Sequence, residues 1–188
     1  MKSFFVEMQA ALFNRRARKN APQVLESLGI KRGDVVGDIG SGGGYYTIEF
    51  AERVGPTGRV FAVDTNEKFL ESVSRRVRGK GIGNVVTVPG DESGKTLPVE
   101  NCDLLFLRNV FHHISDPVPF FRNMKSSLKR GGRVAILEWR PRGGRSLIGL
   151  SGHCTEESRI CEVMTEAGFS RLKRFSFLPA QSFNLFLS

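Results

Sequence analysis

An acid at the end of an apolar run, followed by closely spaced glycines, is the first arrangement in this chain that could hold a small ligand. It reads Asp38-Ile39-Gly40-Ser41-Gly42-Gly43-Gly44-Tyr45. Glycines allow positive φ and close approach of a ligand to the backbone. The helix start that follows offers unpaired N–H groups at a positive dipole end. The spacing departs from the dinucleotide fingerprint G-x-G-x-x-G: Gly40 and Gly42 fit its first two positions, but Tyr45 stands at the third. A carboxylate at Asp38 repels a pyrophosphate and suits a cationic ligand. A second acid, Asp64, closes the next apolar run 24 residues beyond Gly40. An acid there can accept hydrogen bonds from both ribose hydroxyls. Asp64, Thr65 and Asn66 also suit the N-cap of the next helix, and a glycine-rich turn by itself also fits other α/β proteins.

The third group is Asn109-Val110-Phe111-His112-His113. Histidine titrates near neutrality, so His112 or His113 could act as a general base. Neighbours on a regular helix or strand do not share a face. His153 is the remaining histidine of three, and no acid–histidine spacing forms a zinc motif. No metal site is expected.

The elements that must position these groups alternate between strand and helix patterns. Residues 4–18 have amphipathic helical spacing, with Phe4 or Phe5, Met8 and Leu12 on one face and Arg15-Arg16-Ala17-Arg18-Lys19 at the end. This helix suits packing on the domain edge with a solvated basic end. Asn20-Ala21-Pro22-Gln23 has cap-box spacing before a short helix. Strand one, Val35–Ile39, leads into the glycine turn and a helix through Val54; Arg59–Asp64 is strand two. A helix over 67–78 buries Phe69, Leu70, Val73 and Val77 and leaves Arg75, Arg76, Arg78 and Lys80 on a solvated face. Val85–Val88 is strand three, followed by Pro89-Gly90-Asp91-Glu92, where Asp91 also reads as plain turn chemistry. Residues 101–107 form strand four, 117–129 a helix, and Gly131-Gly132 a turn into strand five, ending at Glu138. Residues 139–152 are irregular and carry Arg140, Arg142 and Arg145, which suit an anionic substrate group or a solvated loop equally. Thr155 caps a helix to about Ala167, and two closing strands follow over 169–178 and 183–187.

The 188 residues suffice for one domain, expected to span 1–188, with a full core. The net charge of +9 raises the prospect of anionic partners without establishing one. Cys102, Cys154 and Cys161 form no C-x-x-C pair, which favours a reducing, cytoplasmic setting. No cleavable signal pattern and no bilayer-length apolar run appears. Fifteen phenylalanines stand against one tryptophan and two tyrosines, with no functional account from the sequence.

Asp38-x-Gly40-x-Gly42-x-Gly44 resembles motif I of the class I S-adenosylmethionine-dependent methyltransferases. "Leu-Gly-Ile-Lys-Arg-Gly-Asp-Val-Val" resembles the family's lead-in, and Asn109-Val110-Phe111-His112-His113-Ile114 its motif IV region. Leu128-Lys129-Arg130-Gly131-Gly132 resembles its L-K-P-G-G segment, with Arg130 in place of proline. The likeness covers nearly the whole chain from Val24 and is nearest the small-molecule branch that includes quinone-biosynthesis enzymes. It implies an α/β, Rossmann-like, seven-stranded, mostly parallel sheet with an antiparallel C-terminal strand and helices on both faces. It implies S-adenosylmethionine as cofactor, held around Asp38, Gly40, Ser41, Gly42, Gly44 and Tyr45. Asp64 and Thr65 then stand at the ribose, Asp91 and Glu92 at the adenine, and the Asn109 backbone at the methionine part. His112 and His113 are the candidates for proton removal where the acceptor requires it. The resemblance also implies an alternative for the helix over 4–18: it covers a substrate mouth, with Phe4, Met8 and Phe13 toward substrate.

No Asn/Asp-Pro-Pro-aromatic tetrapeptide follows strand four and no Pro-Cys pair appears. This disfavours adenine amines, glutamine side chains and carbon-5 of cytosine. A small-molecule acceptor remains, with a monomer or homodimer expected and no membrane span. RNA methylation and non-catalytic S-adenosylmethionine binding are the alternatives; scattered basic residues and the lack of an added RNA-binding module weigh against the former.

Overall fold

Apolar runs too continuous for a half-exposed sheet become the central strands of this fold. Leu104, Leu105, Phe106 and Leu107 are all fully buried, as expected for parallel strands covered on both faces. The computed structural model describes residues 2–98, 101–141 and 153–188, and side chains from Val6 onward. The elements are α1 (Lys2–Arg18), α2 (Ala21–Ser27), β1 (Val35–Ile39), α3 (Tyr45–Val54), β2 (Arg59–Asp64), α4 (Glu67–Gly79) and β3 (Val85–Pro89). There follow β4 (Cys102–Arg108), a 3-10 turn (Phe111–His113), α5 (Pro117–Lys125), β5 (Leu128–Trp139), α6 (Glu157–Glu166), β6 (Ser170–Phe175) and β7 (Gln181–Leu187). The seven strands have the order β3-β2-β1-β4-β5-β7-β6. The expected fold class holds. The chain divides into two compact units, Met1–Asp91 and Glu92–Ser188.

In the first unit β1, β2 and β3 pair in parallel, with Asp38 beside Ala62 and Asp64 beside Pro89. Helix α4 buries Phe69, Leu70, Val73 and Val77, the four positions its spacing predicts. Its cap is Asn66, whose side chain accepts from Lys68 N. The cap-box expected at Asn20 is absent: the side chain makes no cap bond, because Asn20 sits at φ −123°, ψ 11° rather than in the extended conformation such a cap uses.

In the second unit β4 and β5 pair in parallel, and β7 runs antiparallel to both β5 and β6. The expected helix end at Leu128-Lys129-Arg130 is instead the start of β5. Helix α5 stops at Lys125, and Leu128 pairs with Cys102 before the register shifts and resumes at Arg133 opposite Leu104. Gly131, at φ 76°, supplies the left-handed residue this bulge needs. Thr155 does not cap α6; its N–H donates to Trp139 O, and Glu156 precedes the helix without a side-chain cap. Many of the phenylalanines serve packing. Phe111 stacks on Phe121 with ring centroids 5.6 Å apart, and Phe175 on Phe183 at 4.4 Å.

No disulfide joins the three cysteines. Cys102 is fully buried at the start of β4, and burial pushes its thiol pKa up to about 12. Native protein treated with a thiol reagent at pH 8 should therefore label at Cys154 and Cys161 and spare Cys102 until denaturant is added. Prompt native labelling of Cys102, read by peptide mass, would show that β4 opens far more readily than its burial allows.

Candidate functional site

The first unit builds its site where β1 ends. Gly40 N and Ser41 N both donate to Val63 O, at 2.8 and 2.9 Å, so the turn is stitched to β2. Gly42 N donates to Asp64 Oδ2 at 2.8 Å, and Asn66 N donates to Asp64 Oδ1 at 2.9 Å. Asp64 is thus oriented at the turn rather than serving as the α4 cap. It is half-buried, and burial raises its carboxyl above the ordinary range against the pull of those two N–H groups. Gly44 opens α3 at φ 72°, and a Cβ there would lie 2.7 Å from Val73 Cγ2. Only glycine meets both conditions without strain.

Asp38 is buried, and its Oδ2 accepts from Thr47 Oγ1 at 2.5 Å. One oxygen of this acid therefore braces the strand end against α3. Ser41 is buried, and its hydroxyl has no hydrogen-bond partner among the described residues. Tyr45 is half-buried at the first position of α3, its hydroxyl pKa raised by burial and by Glu49. Thr65 is exposed beside Asp64, and Asp91 is exposed beyond β3.

Residues that the pattern did not single out hold this turn from α1 and α4. Asn14 donates to Gly43 O at 3.0 Å and accepts from Tyr45 N at 3.1 Å, so one amide spans the turn and the helix start. Arg76 also donates to Gly43 O. This corrects the solvated face expected for α4 at Arg76 alone, which is half-buried at the turn; Arg75, Arg78 and Lys80 are exposed, with Arg75 paired to Glu7. A Cβ on Gly43 would lie 2.5 Å from Ala10 O, so α1 sits directly on the glycine. Phe13 packs on Phe69 at 5.9 Å between ring centroids, while Met8 remains exposed. Phe4 and Phe5 lie outside the described side chains. A lone asparagine in an amphipathic helix carries no sequence signal for this role.

In the second unit Asn109 follows β4 at φ 55°, the one non-glycine with positive φ among the described residues. Its N–H donates to Leu137 O at 2.7 Å and its Oδ1 accepts from Gln181 Nε2 at 2.8 Å. Glu92 is exposed at the unit's start. His112 Nδ1 lies 3.0 Å from Glu138 Oε1, which also accepts from Trp139 N at 2.8 Å. Glu138 is fully buried and its Oε2 has no partner among the described residues. An acid closing the apolar run Val134-Ala135-Ile136-Leu137 was the available signal for it.

The two adjacent histidines do converge, contrary to the expectation from regular geometry. In the 3-10 turn their ring centroids are 4.0 Å apart, and His153 lies 5.1 Å from His112 and 5.5 Å from His113. His113 has its pKa pushed down, first by burial and then by its two histidine neighbours. Arg140 is engaged: it pairs with Glu157 at 3.3 Å, and its N–H donates to Ala180 O. Arg142 and Arg145 lie outside the described residues.

The Asn14 contacts make α1 part of the turn. Replacing Asn14 with Ala should cost about 1 kcal/mol, as for other lost helix-start caps, read by urea denaturation. Gly43→Ala should lift α1 and raise its proteolytic cleavage. Unchanged digestion of Gly43→Ala would mean α1 does not rest on the glycine in solution.

A methyltransferase-domain model matches residues 37–136, more than half of the chain. The ubiquinone/menaquinone biosynthesis C-methyltransferase UbiE of Enterobacter sp. (strain 638) is 31% identical over 116 residues, 61% of this chain and 46% of that protein. The enzyme of the same name from Escherichia coli O1:K1 / APEC is 32% identical over the same shares. This chain thus spans about half the length of the curated relatives it matches. Among solved structures, a SAM dependent methyltransferase from Aquifex aeolicus superposes with a TM-score of 0.83 over 95% of this chain and 97% of that one, at 22% identity, a likeness of fold. With the glycine turn of motif I, the acid hydrogen-bonded at its edge and a family match over residues 37–136, the chain belongs to the type 11 branch of the class I S-adenosylmethionine-dependent methyltransferases.

Proposed function

We propose that this protein transfers a methyl group from S-adenosylmethionine to a small-molecule acceptor. The observation that carries this is the glycine turn of the first unit, with Asp64 hydrogen-bonded to Gly42 N at its edge. The residues present fit the cofactor. Each Asp64 oxygen accepts one backbone N–H and retains a lone pair for a ribose hydroxyl. The buried Ser41 hydroxyl lacks a partner among the described residues, as a ligand-facing group would.

When bound, the cofactor supplies an electrophilic methyl on a sulfonium, which an acceptor displaces in line, leaving a neutral thioether. The chain's own part is alignment. Asp64 would hold the ribose, and the Thr47–Asp38 bond holds the turn against α3. Gln181 holds Asn109 in its left-handed conformation, which sets the direction of the backbone after β4. Where the acceptor is an acid such as a phenol, the His112–His113 pair takes its proton, with Glu138 fixing the His112 ring.

Several observations support a small acceptor. The curated relatives are named for ubiquinone and menaquinone biosynthesis, which favours a ring-type acceptor. At least five of the 28 lysines and arginines are internally paired: Arg53 with Glu49, Arg75 with Glu7, Lys129 with Asp103, and Arg140 and Arg174 with Glu157. Those pairs leave that much less positive charge for a phosphate backbone.

Calorimetry with S-adenosylhomocysteine tests the cofactor half. Asp64→Ala should weaken binding about 10- to 100-fold, the scale of a hydrogen bond to a charged group. Affinity of the native protein should fall as the pH drops through the raised Asp64 pKa, because the accepting carboxylate is lost, and Asp64→Asn should bind weakly with no such dependence. Turnover of labelled cofactor with phenols, quinols and thiols tests the acceptor half. Binding without turnover of any of them would favour a non-catalytic role.

A further inference from the structure

We infer that His112, His113 and His153 form a binding site for one divalent transition-metal ion. One ring nitrogen from each of the three lies within 4.8 Å of the others. Four-coordinate zinc with nitrogens at 2.0–2.1 Å needs ligand atoms about 3.3 Å apart. His113 and His153 are exposed, so small side-chain rotations close that difference.

Two further features match a metal centre. The first is the carboxylate behind His112. Glu138 Oε1 faces His112 Nδ1 at 3.0 Å, so that nitrogen carries the proton and Nε2 is left with its lone pair for an ion. A carboxylate–histidine pair of this kind commonly orients a metal-bound imidazole and raises its basicity. The second is the charge balance. Glu138 is fully buried; among the described residues its Oε2 has no partner and its only ion-pair partner is this histidine. A buried carboxylate without compensating charge is costly, and a dication on the far side of the imidazole offsets it.

The fold brings the three rings together. His112 and His113 both lie in the 3-10 turn, and although its backbone sets neighbours about 120° apart, their rings lean together to 4.0 Å between centroids. His153 is brought in by the Thr155 N–H bond to Trp139 O, one residue past Glu138. An all-imidazole set selects zinc, cobalt, nickel or iron over magnesium or calcium. Three protein ligands leave a position for water or for an oxygen or sulfur of the acceptor. A coordinated acceptor loses its proton more readily, so the ion and the metal-free imidazoles serve the same end by different routes. That purpose rests on the methyl-transfer proposal; the binding itself does not.

The test uses full-length, untagged protein stripped with EDTA and titrated with Co2+ alone, without cofactor or acceptor. The visible ligand-field absorption of a four-coordinate ion should appear, saturate at one equivalent and be displaced by Zn2+. His113→Ala and His153→Ala remove exposed rings, so both should keep the metal-free melting temperature while losing Co2+ affinity at least about 100-fold. Glu138→Gln should lose about 10- to 100-fold, the usual scale for an outer-shell partner. A Cys154→Ser/Cys161→Ser variant should retain the band. Absence of the band in the native chain, or equal affinity in the two histidine variants, overturns the site. Cofactor binding by the stripped protein is measured separately, so failure of one proposal is distinguishable from failure of the other.

Discussion

The hydrogen bond from Gly42 N to Asp64 Oδ2 is the constraint on which the first unit's site depends. Two adjacent strands end at the same level, and the turn leaving one is tied to the acid closing the other. Hydrogen bonds to a charged acceptor contribute about 1.5–3 kcal/mol each, and Asp64 accepts two from the backbone. These offset a carboxylate held partly out of water and fix its direction before any ligand arrives. The Val63 carbonyl adds two further ties, to Gly40 N and Ser41 N. The turn is preorganised by β2 as much as by its own glycines.

The second unit solves a related problem with a different acid. Glu138 lies on a central strand, where a charge is least welcome, and is kept there by Trp139 N and the His112 ring. It fixes a side chain that would otherwise rotate. In both units an acid at a strand end, itself removed from solvent, sets the geometry of a neighbouring group that can meet a ligand.

Much of this was legible in the sequence. The positions of strands and helices, the glycine turn, Asp64 and the four buried positions of α4 follow from periodicity and spacing, which local chain geometry dictates; the sheet architecture follows from the family resemblance instead. The contributions of Asn14, Arg76 and Gln181 were not legible, because each reaches a partner at least 29 residues away. Such pairings depend on how elements pack. The convergence of the histidine rings is not legible for a different reason: backbone spacing sets neighbours well apart even in a 3-10 turn, and the rings meet through the way their side chains lean and through His153, which is distant in sequence. Leu128-Lys129-Arg130 was assigned to a helix end on apolar spacing alone, whereas pairing with Cys102 draws it into the sheet.

The double grip of Asn14 on Gly43 O and Tyr45 N has a thermodynamic consequence. Whatever rigidifies that bend also rigidifies the chain's leading helix, and by reciprocity anything that pins the leading helix tightens the bend. On the proposed cofactor site, occupancy of the bend and the order of Lys2–Arg18 are coupled through this one side chain. An acceptor that rested on that helix would be coupled to the methyl donor without touching it.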